Sequence, residues 1–161
     1  MTRYCGAGVT VFCLMSLSAV LVWTAAPERV DAHCQVPCGI YDDAARIARL
    51  REDTATIAKA MKNINALAGA HDAQGMNQFT RWVTTKEAHA SHIIERVANY
   101  FLAQRIKPVA SGADGRAAYL EKLANHHAVI AAAMKAKQHA DPKYADALMH
   151  AIDGIAGYYT K

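Results

Sequence analysis

An imidazole, two thiols and a proline crowd into six consecutive positions, His33-Cys34-Gln35-Val36-Pro37-Cys38, and Gly39 and Tyr41 follow directly. If the chain is cut before His33, that residue also presents a free α-amine. A terminal amine, an imidazole, two thiolates and a backbone amide then all come within reach of one metal ion. Thiolates are soft donors that suit nickel, copper(I), zinc and iron. The amine and the next backbone nitrogen close a five-membered chelate, which the Cys34 sulfur extends and Cys38 completes as an N2S2 plane. Square-planar coordination points to Ni(II) or Cu(II) rather than to tetrahedral zinc. The His33 ring is left for an axial position, where it can stabilise a more oxidised metal. Without a metal, two thiols this close in an oxidising compartment pair as a disulfide, the plain structural alternative.

The residues before His33 read as a secretory leader, 1–32. Arg3 gives a positive start, Val9 to Trp23 an apolar run, and Val30-Asp31-Ala32 a small-residue cleavage site. The run is shorter than the roughly 20 residues a membrane span needs, so no stable membrane association is expected after cleavage. Cys5 and Cys13 leave with the leader, and the mature protein is expected to be exported, periplasmic or extracellular. The net charge of +4 survives the cut, because Arg3 and Arg29 leave together with Glu28 and Asp31. A mildly basic surface attracts a small anion. With no Lys/Arg run and no basic stripe interleaved with aromatics, nucleic acid is not an expected partner.

The spacing His-Cys-x-x-Pro-Cys-Gly-x-Tyr resembles the mature N-terminus of the nickel superoxide dismutases. The chain matches it at His33, Cys34, Pro37, Cys38, Gly39 and Tyr41, with looser likeness at Lys86-Glu87 and Asn99-Tyr100-Phe101. The resemblance implies that His33, Cys34 and Cys38 hold one nickel ion per subunit. It further implies a Ni(III)/Ni(II) cycle that converts superoxide to dioxygen and hydrogen peroxide. Tyr41 and Tyr100 correspond to a tyrosine pair that gates anion access. The family is a four-helix bundle assembled as a homohexamer. Around the histidine the chain departs from the better-known pattern: Glu52 is the candidate for the family's steering glutamate, and His89 stands where an arginine is usual. The reading from another functional class is an exported helical protein that sequesters nickel or copper without turnover.

The elements that must carry residues 33–41 are helices. Asp42-Asp43 suits a helix cap. Ile47, Leu50, Thr54, Ile57, Met61, Ile64 and Ala68 then step by threes and fours along one face. A polar joint at Gly69–Gly75 precedes a second pattern from about Met76 through Phe79, Val83, Ala90, Ile93, Val97 and Phe101. A Gly/Ser joint at 109–115 follows, and then a third pattern with Leu120, Leu123, His127, Ile130 and Met134 on its face. Asp141-Pro142 signals the start of a fourth helix through Ala145, Leu148, Ile152 and Ile155. Four such helices with short joints predict an all-α, antiparallel up-down bundle over 42–161. His89 with His92, and His126 with His127, are the remaining histidine pairs, expected as polar packing or solvated faces rather than a second metal site.

Overall fold

The computed structural model describes residues 40–160, so the leader and residues 33–39 lie outside the described residues. We number the helices α1 (Asp43–Leu67), α2 (Ala73–Arg96), α3 (Arg116–Gln138) and α4 (Lys143–Ala156); α2 continues without a break into a π-helical segment, Val97–Arg105. Each helix packs on the next, and α4 closes back against α1. Joints of this length make sequential helices antiparallel, which is the expected bundle. No helix among the described residues is long and apolar enough to cross a membrane.

The local rules that start these helices are visible one by one. Asp42 caps α1 by accepting from the Ala45 N–H at 3.0 Å, and Asp72 caps α2 by accepting from Gly75 at 2.8 Å. Helix α2 therefore begins three residues before the expected Met76. Gly75 sits inside its first turn because a Cβ there would lie 2.5 Å from the Cβ of Ala70. Asp141 accepts from the Lys143 N–H at 3.0 Å, but the cap position of α4 is Pro142, one residue later than the Asp-Pro signal predicts.

The core takes Ile47, Leu50, Ile57 and Met61 from α1, Ala90 and Ile93 from α2, Val97, Tyr100 and Phe101 from the π segment, and Leu148, Ile152 and Ile155 from α4. Helix α3 corrects the sequence reading. Its buried face is His126, Val129, Ala133 and Ala136, while Leu120 and Met134 are exposed. The helix is alanine-rich and nearly uniform around its circumference, so periodicity has little amplitude from which to choose a face. What decides is close approach: alanines let α3 lie near its neighbours, and the bulkier residues turn outward.

Lys86 is buried, with its ammonium donating to the carbonyls of Ala136 at 3.1 Å and Lys137, and paired with Glu87 at 2.8 Å. A buried cation here satisfies the unpaired carbonyls at the C-terminal end of α3, where the helix dipole is negative. It ties α2 to α3 by charge where an apolar residue would leave those carbonyls bare.

Candidate metal centre and its tyrosine entrance

Tyr41 is the one residue of the candidate chemical stretch, apart from Ile40, that falls within the described chain. Its ring meets that of Tyr100 edge-on, with centroids 6.0 Å apart. The sequence-predicted pair is therefore brought together across the start of α1 and the π segment. Tyr100 is 1% exposed, and its hydroxyl donates to Asp43 Oδ1 at 2.7 Å. Arg105 grips the same carboxylate with two nitrogens, Nε to Oδ1 at 2.8 Å and a terminal nitrogen to Oδ2 at 2.6 Å. Its guanidinium also lies 4.3 Å from the centre of the Tyr41 ring, and that of Arg46 lies 5.1 Å from the Tyr100 ring.

The π-helix explains how Tyr100 and Arg105 reach one carboxylate. Residues five apart diverge by more than a third of a turn around an α-helix. In a π-helix the hydrogen bond itself spans five residues, and such residues share a face. The bond from the Ile106 N–H to the Phe101 carbonyl, at 3.0 Å, closes that wider turn. Asp43 thus does more than sit near a helix start: it fixes a tyrosine and an arginine beside Tyr41.

The electrostatics follow from these contacts. Burial pushes the Asp43 carboxyl up, but the hydrogen bonds from Arg105 and Tyr100 outweigh it and hold the group below its ordinary value. Tyr100 is pushed up to about 12, first by burial and then by the carboxylate it donates to. Half-buried Tyr159, near the C-terminus, is raised further, chiefly by its burial. Both phenols therefore remain protonated at physiological pH. A phenol raised above its unfolded value of 10.0 contributes stability that is complete below that pH. For Tyr100 that contribution is lost as the pH rises through about 12. Asp43 behaves oppositely, contributing above its ordinary value of 3.8 and losing that contribution in stronger acid. In an ultraviolet titration, Tyr100→Phe and Tyr159→Phe are each expected to leave the phenolate absorbance gained by pH 10 unchanged. A drop by one tyrosine's share in either variant would contradict the assignment.

Farther along α1, the carboxylate facing the second helix is Asp53, not Glu52. Glu52 points to solvent, where Arg49 pairs with it at 2.7 Å. Asp53 is buried, its Oδ1 2.7 Å from His89 Nδ1 and its Oδ2 2.7 Å from Arg96. The spacing contained this signal, since Asp53 stands three residues after Leu50 and four before Ile57, at the edge of the apolar stripe. Asp53, His89 and His92 bring ligand atoms within 4.8 Å of one another. The Arg96 guanidinium already neutralises that carboxylate, so a divalent cation there would face a fixed positive charge. The other histidine pair divides: His127 is exposed, whereas His126 is fully buried, with Nδ1 2.7 Å from the Lys122 carbonyl and Nε2 2.8 Å from the Tyr159 hydroxyl.

His33, Cys34 and Cys38 lie outside the described residues, so the fit of a metal rests on their donor chemistry. Two thiolates, a ring nitrogen and main-chain nitrogens suit nickel. The family model for nickel-containing superoxide dismutase matches residues 28–161, which includes that stretch and all four helices. Comparison with curated proteins and with solved structures finds no match. The protein is a metal-dependent oxidoreductase built as a helical bundle, and the chain belongs to the nickel-containing superoxide dismutase family. Its cofactor is nickel and its substrate superoxide.

Proposed function

We propose that the chain is cut after Ala32 and that residues 33–38 then hold one nickel ion per subunit. The donors would be the His33 amine and ring, the Cys34 amide nitrogen and the thiolates of Cys34 and Cys38. When bound, nickel would supply a one-electron Ni(III)/Ni(II) couple for the dismutation of superoxide to dioxygen and hydrogen peroxide. The observation that carries this reading is the Tyr41–Tyr100 entrance. Two phenols stand edge-on beside Arg46 and Arg105, three residues of chain from Cys38. Arg46 draws a small anion, while Tyr100, buried beside Tyr41 and protonated at working pH, adds no competing charge. A protein that only sequestered metal would need no such entrance.

The same reading places the mature enzyme outside the cytoplasm and assembles it as a homohexamer. The outward Leu120 and Met134 of α3 give that face apolar surface for a neighbouring subunit.

An electron paramagnetic resonance spectrum of the nickel-loaded protein, with metal analysis, tests the ligand set. A rhombic nickel(III) signal split by one axial nitrogen is expected. In His33→Gln the amine, amide and sulfurs remain, so nickel content should hold while the splitting disappears and turnover falls more than about a hundredfold. Loss of nickel from that variant would make the ring a structural ligand and sink this division of roles.

A further inference from the structure

The bundle interior holds an unbroken file of rings that runs on beyond the Tyr41–Tyr100 pair. From Tyr100, centroid distances run 5.0 Å to Phe101, 4.5 Å on to Tyr159 and 6.2 Å to Tyr158. Tyr100 and Tyr159 each donate to a base. Tyr100 donates to Asp43. Tyr159 donates to His126: the Lys122 carbonyl can only accept, so Nδ1 carries the ring proton and Nε2 accepts from the Tyr159 hydroxyl. Tyr158 and Tyr159 line a cavity of about 390 Å³, together with Tyr119, Arg105, Lys107 and Lys122.

We propose that Tyr100, Phe101 and Tyr159 form an electron-transfer relay that carries oxidising equivalents from the metal end of the bundle to this basic cavity, where a small anionic reductant discharges them. The relay rests on the proposed metal site only for its source of oxidant. That source is the one-electron oxidant generated when the redox metal meets its own product, hydrogen peroxide. Tyr100 gives up an electron to it and its hydroxyl proton to Asp43, leaving a neutral phenoxyl. A phenol radical cation is a far stronger acid than a carboxylic acid or an imidazolium, so a carboxylate held by Arg105 still accepts that proton. An electron then passes from Tyr159 through the Phe101 ring. Tyr100 regains it with the proton from Asp43, and the Tyr159 proton moves to His126 Nε2. At the cavity an enediolate or thiolate donates one electron, and Tyr159 recovers its proton from His126. The net transfer is one electron from the external reductant to the oxidant, with every protein proton returned. Lys107 and Lys122 favour a reductant that is an anion.

The test uses the purified nickel-loaded protein treated with hydrogen peroxide and freeze-quenched for electron paramagnetic resonance. An organic radical that narrows when tyrosine is ring-deuterated is expected, and ascorbate should discharge it. Tyr159→Phe keeps the ring and should leave nickel content and dismutation unchanged, while the remaining tyrosine radical decays several-fold more slowly with ascorbate. Equal decay in the two proteins, or no tyrosine radical in protein that dismutates superoxide, overturns the relay and leaves the dismutase reading standing. If nickel loading itself fails, a photo-oxidised ruthenium tris-bipyridine complex replaces the metal as oxidant. The same comparison of Tyr159→Phe with the parent then decides the relay alone.

Discussion

Replacing either Cys34 or Cys38 by serine is expected to abolish nickel retention and superoxide dismutation together, while the helical circular dichroism stays that of the parent. The two halves of that expectation have separate causes. A serine hydroxyl is not ionised at neutral pH and is a hard donor, so the proposed set of nitrogen and sulfur donors would lose a member and with it an electron-rich ligand that favours the higher oxidation state. Losing a bond in the coordination sphere should cost more than the ten- to hundredfold that follows loss of an outer partner, so activity should fall by more than about a hundredfold. The bundle, by contrast, is built from residues between Ile47 and Ala156, and its helix caps at Asp42 and Asp72 involve neither cysteine. Thermal unfolding of the metal-free variants should therefore match that of the metal-free parent. Metal analysis and a dismutation assay on the same samples decide the matter, and substantial activity in either single variant would remove sulfur from the redox role.

The parts legible in the sequence are those governed by local rules. The stripe from Ile47 to Ile64 and the fourth-helix positions Ala145, Leu148, Ile152 and Ile155 are buried as their spacing requires. Met76 and Phe79 show the limit at a helix end: Met76 is exposed because Asp72 starts α2 a turn earlier and the first turn overhangs the core. Helix α3 shows a second limit, since a helix whose apolar and polar residues are spread evenly around it carries no directional signal, and alanine packing distance settles which side turns inward. Tyr100 could be named from the resemblance, but its partner Arg105 could not. An α-helical reading puts positions 100 and 105 on different faces, and only the π-helical turn brings both to Asp43. The Asp53 ion pairs were legible in spacing alone, three residues after Leu50, whereas the Glu52 expectation concerns His33, which lies outside the described residues. Lys86 is likewise invisible to a hydropathy argument, because its burial depends on carbonyls fifty residues away.

The largest effect of all is expected from a single added residue at the processing point. The amine can chelate beside the Cys34 nitrogen only when it belongs to His33. An uncleaved Met before it converts that nitrogen to an amide and moves the free amine one residue farther from the cysteine. The amide proton must then be lost for the nitrogen to bind, and the chelate ring sizes and donor set change with it. A protein beginning Met-His-Cys should therefore fold as the same bundle, since Asp42 and everything after it is untouched, yet show almost no dismutation when nickel is supplied. The same protein trimmed to begin at His33 should recover activity under identical loading. Nickel titration followed by charge-transfer absorption, read beside the activity assay, separates the causes. Altered or absent bands in the extended form and restored bands after trimming locate the defect at the metal. Equal activity in the two forms would show that the terminal amine is not a ligand. The stretch 33–38 would then bind metal only through histidine and cysteine side chains, and the cut after Ala32 would serve export alone.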